Sequence, residues 1–303
     1  MSSIIVIGSS NTDMVVRTSK FPAPGETIMG GEFFMFSGGK GANQAVAAAR
    51  MGGTVVFIGK TGNDIFGLRA MEELRKEGIN TMYTGTAGGM ASGTALILVD
   101  EKGENEIVVA PGANDLLRPA DITTAAHLLV PHNVVLLQLE IPLETVLHTA
   151  QAAFAAGARV ILNPAPARAL PAALLSCLYL LTPNETEAQL LTGVKVTDRH
   201  SAKAAAAILL KAGVQQVIIT MGAQGAFFTN GTDELMIPAP SVKAVDSTAA
   251  GDVFNGVLAT AVAAGEDWPA AIGRACKAAA ISVTRMGAQA SMPYLQELME
   301  AAG

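Results

Sequence analysis

Cysteine, charge of either sign and any basic excess are all scarce in this chain. Only two cysteines, Cys177 and Cys276, occur in 303 residues. They lie far apart and match neither a metal-ligand spacing nor a disulfide framework, which suits a reducing compartment and two buried, inert thiols. Charged residues make up 15% and the formal net charge is −6. No basic field exists to hold a nucleic-acid backbone or an anionic membrane, so any polyanion bound must be small and gripped locally. The amino terminus runs from Met1 straight into the short apolar stretch Ile4 to Ile7 and then Gly8, without the charged leader and long apolar core of an export signal. The stretch Ala249 to Ala264 is the most apolar later run, yet Asp252 and Asn255 stand in its first turns, as in a helix end inside a folded protein. The expectation is a cytoplasmic protein with no nucleic-acid and no membrane partner.

What is abundant is apolar side chain, 50% of the residues, enough for one large domain over 1–303. Short β-rich runs alternate with alanine-rich helical segments: Ile4 to Ile7, Ala42 to Arg50, Val55 to Ile58, Phe66 to Lys76. The rhythm returns at Val134 to Leu139, Glu144 to Ala156, Arg159 to Leu162, Ser201 to Lys211 and Val217 to Thr220. This predicts an α/β fold with a mostly parallel central sheet and helices on both faces, binding ligands beyond the carboxyl ends of its strands. Two stretches break the rhythm. One is Thr12 to Phe36; the other is a hairpin in which ALILVD and NEIVVA flank Glu101-Lys102-Gly103-Glu104. They are expected to pair as a small β-sheet lid formed by about 12–36 and 92–110. Phe33 to Phe36 is apolar at every position, which fits a lid strand with a ligand on one face and a partner subunit on the other, or a strand buried in the main core.

Four segments carry chemistry. In Asp246-Ser247-Thr248-Ala249-Ala250-Gly251-Asp252, small residues open a helix and let backbone N–H groups approach an anion. Asp252 is then either a first-turn capping residue or, beside an anion site, a base for an attacking hydroxyl. In Ser37-Gly38-Gly39-Lys40-Gly41-Ala42-Asn43, glycines surround a lysine before the helix Gln44 to Arg50. Phe34 and Gly41 stand where a P-loop needs Gly and Ser or Thr, and Gly8 to Asp13 lacks the glycines of a dinucleotide fingerprint. Those absences exclude a Walker site and a nicotinamide dehydrogenase. Lys40 and Asn43, with Asn11 and Asp13 after the first strand, remain as donors and acceptors for a polyhydroxylated ligand, or as turn residues. Asn184 and Glu187 in Thr182-Pro183-Asn184-Glu185-Thr186-Glu187 share a face at the start of a helix Ala188 to Leu191, as a capping box or as support for hydrated Mg²⁺. Thr220-Met221-Gly222-Ala223-Gln224-Gly225 ends a strand and shapes either a nucleotide pocket or a simple turn.

Taken in order, FPAPGET (21–27), GGKGANQAVAAA (38–49), NPAPAR (163–168), TPNETEA (182–188), DSTAAGD (246–252) and VTRMGAQAS (283–291) resemble the ribokinase family of sugar kinases over nearly the whole chain. The resemblance implies a three-layer α/β/α kinase domain with a small β-sheet lid, and ATP-dependent phosphorylation of ribose at O5. It assigns Asp252 as general base and the backbone of Ala249, Ala250 and Gly251 as the hole for the phosphoryl charge. Sugar contacts fall to Asn11, Asp13, Gly39, Lys40, Asn43, Glu140 and Asp252, with Asn184 and Glu187 supporting Mg²⁺ and nucleotide phosphate. Thr220, Gly222, Gly225, Gly251 and Cys276 fall at the nucleotide. An activating monovalent cation, usually K⁺, is expected at Asp246, Thr248, Ser282, Arg285, Gly287 and Ser291, mostly through carbonyls. A homodimer joined through the lid is also implied. Ser247 stands where threonine is frequent, Cys276 where a histidine often packs on adenine, and Ala290 where proline is common. The competing readings are a deoxyribose, nucleoside or phosphosugar kinase of the same superfamily, and a non-catalytic sugar sensor, against which the retained base speaks.

Overall fold

The structure, a computed structural model, describes residues 2–300. In chain order its strands are β1 (Ser3–Ile7), β2 (Asn11–Arg17), β3 (Phe33–Gly38), β4 (Thr54–Ile58), β5 (Lys60–Gly62), β6 (Gly85–Ala87), β7 (Gly93–Val99), β8 (Asn105–Ala110), β9 (Val134–Leu137), β10 (Arg159–Leu162), β11 (Leu180–Leu181), β12 (Val217–Thr220), β13 (Ala226–Thr229) and β14 (Glu234–Ile237). The helices are α1 (Lys40–Arg50), α2 (Ile65–Lys76), α3 (Pro119–Thr123), α4 (Leu143–Ala155), α5 (Ala172–Leu175), α6 (Glu185–Thr192), α7 (Arg199–Lys211), α8 (Ala250–Ala264), α9 (Trp268–Ser282) and α10 (Leu295–Glu300).

Eight strands form the central sheet in the order β14-β13-β12-β11-β10-β9-β1-β4. Every pairing from β4 to β12 is parallel, and β13 and β14 close one end antiparallel. Successive side chains on a strand point to opposite faces, and this alternation divides the interior in two. Ile4, Val6, Leu136 and Phe228 join one core with α1, α2, α8, α9 and α10, whereas Ile5, Ile7, Leu137 and Phe227 join another with α3 to α7. Strands buried on both faces need the continuous Val/Ile/Leu runs seen here. The result is the expected three-layer α/β/α arrangement. The carboxyl ends of β1, β9, β10, β11 and β12 open onto one edge, where the loops after them meet.

Four strands make a separate small sheet, in the order β3-β2-β7-β8. It starts in register at Asn11, Gly38 and Gly93, one short loop beyond β1. Its outer strand β8 is exposed throughout. Phe33 to Phe36 lies here, mostly half-buried, so the alternative of a strand within the main core is corrected. Two helix starts also differ from the sequence reading. Helix α1 begins at Lys40, four residues before Gln44, because Glu140 from another loop satisfies the first-turn amide of Lys40. Helix α6 begins at Glu185, before Ala188. Among the described residues no helix is long and apolar enough to cross a membrane.

Candidate active site

Asp252 sits in the first turn of α8 and is 5% exposed. It is a first-turn acid, as one alternative had it, but it does not cap the helix. Ala249 is the residue that precedes the helix, and no side chain caps that end. The Asp252 oxygens instead accept from two side-chain amides, Oδ2 from Asn43 Nδ2 at 3.0 Å and Oδ1 from Gln44 Nε2 at 2.9 Å. Ala249 has φ of 60°, the one left-handed residue other than glycine among those described, a conformation costing roughly 1–2 kcal/mol for an L-residue. The Ala250 amide donates to the Ser247 carbonyl at 3.2 Å, while the N–H groups of a first helical turn have no acceptor within the helix itself. A Cβ on Gly251 would meet nothing within 4 Å, so the space in front of this turn is open. Asn255 donates to the Gly251 carbonyl at 2.8 Å and accepts from Thr182 Oγ at 2.6 Å, tying the turn to the end of β11.

The residues expected at the sugar gather on the same side. Glu140 Oε2 accepts from the Lys40 amide at 3.0 Å and from Ser9 Oγ at 2.6 Å. Gly39, with φ of 87°, lies so close to the chain that a Cβ would come 2.7 Å from the Asn11 nitrogen, and only glycine combines that angle with that approach. The Asp13 carboxylate lies over Gly38 in the space a side chain there would fill. Asn11 Oδ1 accepts from Asn114 Nδ2 at 2.7 Å, and Asn114 Oδ1 accepts from the Ser10 amide at 2.9 Å.

These groups set a distinctive charge pattern. Asp252 raises the Lys40 ammonium pKa against the pull of burial, with Glu140, Glu187 and Asp13 adding to the effect. Burial pushes the Asp13 carboxyl up to about 7, reinforced by Glu140 and Asp252. Burial likewise raises Asp252, opposed by Lys40, Asn43 and Gln44. One lysine thus serves several carboxylates, leaving an acceptor-rich cluster whose complementary partners are hydrogen-bond donors.

At the start of α6, Asn184 and Glu187 form a reciprocal capping box. Asn184 Oδ1 accepts from the Glu187 amide at 2.8 Å, and Glu187 Oε2 accepts from the Asn184 amide at 2.9 Å. Glu187 is nonetheless buried and its carboxyl is pushed up by that burial, so capping does not exhaust its surroundings. Asn184 bridges to Thr220, and Gly222 and Gly225 enclose a single turn after β12. A Cβ on Gly222 would be in open space, whereas one on Gly225 would collide with the Ile237 carbonyl. Cys276 is buried in the core that α8 and α9 share, with its thiol pushed up to about 11 by burial; Cys177 is buried too, its thiol likewise raised.

The residues expected at a monovalent cation form a third group. The Val245 and Asp246 amides donate to the Val283 carbonyl at 2.7 and 3.1 Å. Asp246 then accepts from the Thr248 and Gly287 amides, both at 2.9 Å. Although burial opposes it, hydrogen bonds from Thr248 and Gly287 hold the Asp246 carboxyl below its ordinary value. Ser282 at the end of α9 and Ser291 in a short turn before α10 are fully buried, with their hydroxyls turned to Ala279 and Ala288, while the Arg285 guanidinium is drawn to Glu297.

A family model described as pfkB family carbohydrate kinase matches residues 1–295. The chain belongs to that family. Among pfkB relatives, the ribokinase of Haemophilus influenzae is 43% identical over 98% of this chain and 97% of its own length. The deoxyribokinase of Salmonella typhi is 40% identical over 98% and 97%. The structure of Arabidopsis thaliana ribokinase complexed with ribose and ATP superimposes with a TM-score of 0.91 at 30% identity, over 99% of this chain and 98% of that one. Sequence reading of this pfkB chain missed the buried amides Gln44, Asn114, Gln138 and Asn163, and Gln289, whose Nε2 donates to Asn43 Oδ1 at 3.2 Å. Gln44, Asn163 and Gln289 stood within segments already singled out, but none of them had been given a role.

Proposed function

We propose that this carbohydrate kinase transfers the γ-phosphoryl group of ATP to the 5-hydroxyl of ribose, yielding ribose 5-phosphate and ADP. The observation that carries the proposal is Asp252: a buried carboxylate, gripped on both oxygens, beside an open helix turn and electrostatically coupled to Lys40 and Glu140. In this reading Asp252 accepts the proton of the sugar hydroxyl as its oxygen bonds to phosphorus. The backbone of Ala249, Ala250 and Gly251 holds the phosphoryl charge, and catalysis lies in positioning and electrostatics. Asn11, Asp13, Gly39, Lys40, Asn43 and Glu140 hold the sugar. A second phosphate on the sugar would face those carboxylates, which disfavours a phosphosugar acceptor.

Thr220, Gly222 and Gly225 line the nucleotide end, with Cys276 adding apolar bulk. Asn184 and Glu187, partly committed to each other, fit an outer-sphere role towards Mg²⁺ through water, and Mg²⁺ when bound neutralises phosphate oxygens. The anionic Asp246 between two carbonyl-rich loops fits a monovalent cation such as K⁺, held together with Thr248, Ser282, Arg285, Gly287 and Ser291. The small sheet, 12–36 and 92–110, serves as a lid that keeps water from the activated phosphate. Its exposed Phe33, Leu96, Ile107, Val108 and Val109 support a homodimer joined there. The chain works in the cytoplasm.

The test is coupled ADP release with Mg·ATP and K⁺ across ribose, 2-deoxyribose, fructose and adenosine. Ribose is expected to lead in kcat/KM. A lead for 2-deoxyribose would replace the acceptor and keep the mechanism; binding without turnover would favour the sensor.

A further inference from the structure

Asp252 is met on one oxygen by Asn43 and on the other by a chain of buried amides. Gln44 is 0% exposed and all of its hydrogen-bonding capacity toward the site is committed. Its two N–H bonds go to Asp252 Oδ1 at 2.9 Å and Asn163 Oδ1 at 3.0 Å, and its Oε1 accepts from Gln138 Nε2 at 2.6 Å. Asn163 Nδ2 in turn donates to the Thr182 carbonyl at 3.3 Å, and Gln138 is also 0% exposed. The reverse orientation of the Gln44 amide would set its oxygen against a carboxylate, so the network admits one arrangement.

Helix packing is adapted to this contact. Gly256 lies one turn beyond Asp252, on the same face of α8. A Cβ there would come 2.5 Å from the Gln44 carbonyl and 2.6 Å from Ala47 Cβ. The missing side chain lets α1 and α8 draw close enough for two neighbouring amides, Asn43 and Gln44, to reach one carboxylate.

We propose that Gln44 is a positioning residue for phosphoryl transfer: locked by Gln138 and Asn163, its amide fixes the plane in which the Asp252 carboxylate meets the acceptor hydroxyl. The inference rests on Asp252 being the base. A neutral donor also favours the ionised carboxylate without adding a full positive charge, which would make it a poor proton acceptor. The charged groups acting on Asp252 are Lys40 from α1, Glu140 from the loop after β9, Asp13 from β2 and Glu187 from α6. Removing the Gln44 donor leaves burial and the carboxylates opposed by Lys40 and Asn43 alone.

The experiment uses the full chain with Gln44→Met, which keeps length and loses both donors. At pH 7 kcat is expected to fall ~10-fold to ~10²-fold, with KM for ribose within ~3-fold. The acid limb of the kcat–pH profile should move up by about one unit. In an Asp252→Asn background the same substitution should cause no further loss, because Gln44 acts through that carboxylate. An unshifted acid limb, or an equal further loss in the Asp252→Asn background, overturns the proposal and makes Gln44 a packing residue. Should Gln44→Met not fold, Gln138→Met frees the amide to rotate and must move the limb in the same direction by less; no movement overturns the proposal. Full activity of Asp252→Asn alone would instead remove the base assignment itself.

Discussion

Two neighbouring regions treat the same side chain in opposite ways. Around Lys40, Asp13 is half-buried and Asp252 buried, and the carboxyls of both are raised, desolvation being the main cause in each case. Six residues before Asp252, Asp246 sits half-buried between two loops, and amide donors hold its carboxyl low. The pocket keeps carboxylates where ionisation is opposed, so a proton can be taken up there. The loop satisfies its carboxylate and gains local order. One region stores unfavourable energy for use and the other is built to hold shape.

The contrast is broken most strongly by removing each charge in turn. Asp252→Asn should reduce kcat at least ~10²-fold while sugar binding persists. Asp246→Asn should lower it less, by ~10-fold, and flatten the response to K⁺; coupled ADP release with and without K⁺ measures both. A smaller effect is the pH dependence of KM. With the Asp13 carboxyl near 7, KM for ribose should rise by a few-fold, on the order of that expected for one lost acceptor, as pH falls through that value. Asp13→Asn should flatten this trend.

The smallest effect, and the sharpest in sign, is on melting. A carboxyl raised in the folded state binds its proton more tightly there than in the unfolded chain, so its contribution to stability falls as pH rises from the ordinary carboxylate range towards 7. A carboxyl held low contributes stability above its unfolded value and loses it as pH falls. Asp13→Asn should therefore raise the melting temperature at pH 8 by roughly 2 °C or more, and Asp246→Asn should lower it by a similar amount. Equal signs in thermal scans at pH 8 would dissolve the distinction.

Much of this was legible in the sequence because the central strands are continuous apolar runs and the chemistry lies in contiguous segments. Asp252 and its turn, Lys40 with its glycines, and the hairpin from Gly93 to Ala110 all announce themselves locally. The start of α1 did not. Its glycine-rich opening reads as a breaker, and the group that stabilises it, Glu140, lies 100 residues away. The amide chain behind Asp252 was hidden for the same reason: Gln44 and Asp252 are 208 residues apart, Gln44 and Gln138 94, and a lone amide has no spacing rule. The strain at Ala249 has no sequence signal, since alanine does not advertise a left-handed angle. Helix α9 did carry one that went unused, Asp267 as cap with Pro269 in the first turn.

The bond from Glu140 to the first amide of α1 ties two histories together. In the proposed reading the same carboxylate faces the sugar, so a change of substrate at position 140 is also a change to the foundation of the helix that carries Lys40, Asn43 and Gln44. Asn11 is likewise tied to Asn114, so a lineage drifting toward another acceptor has more latitude at Asp13, on the small sheet, than at position 140. New specificities in this fold should enter through the strand above the pocket and leave its floor alone.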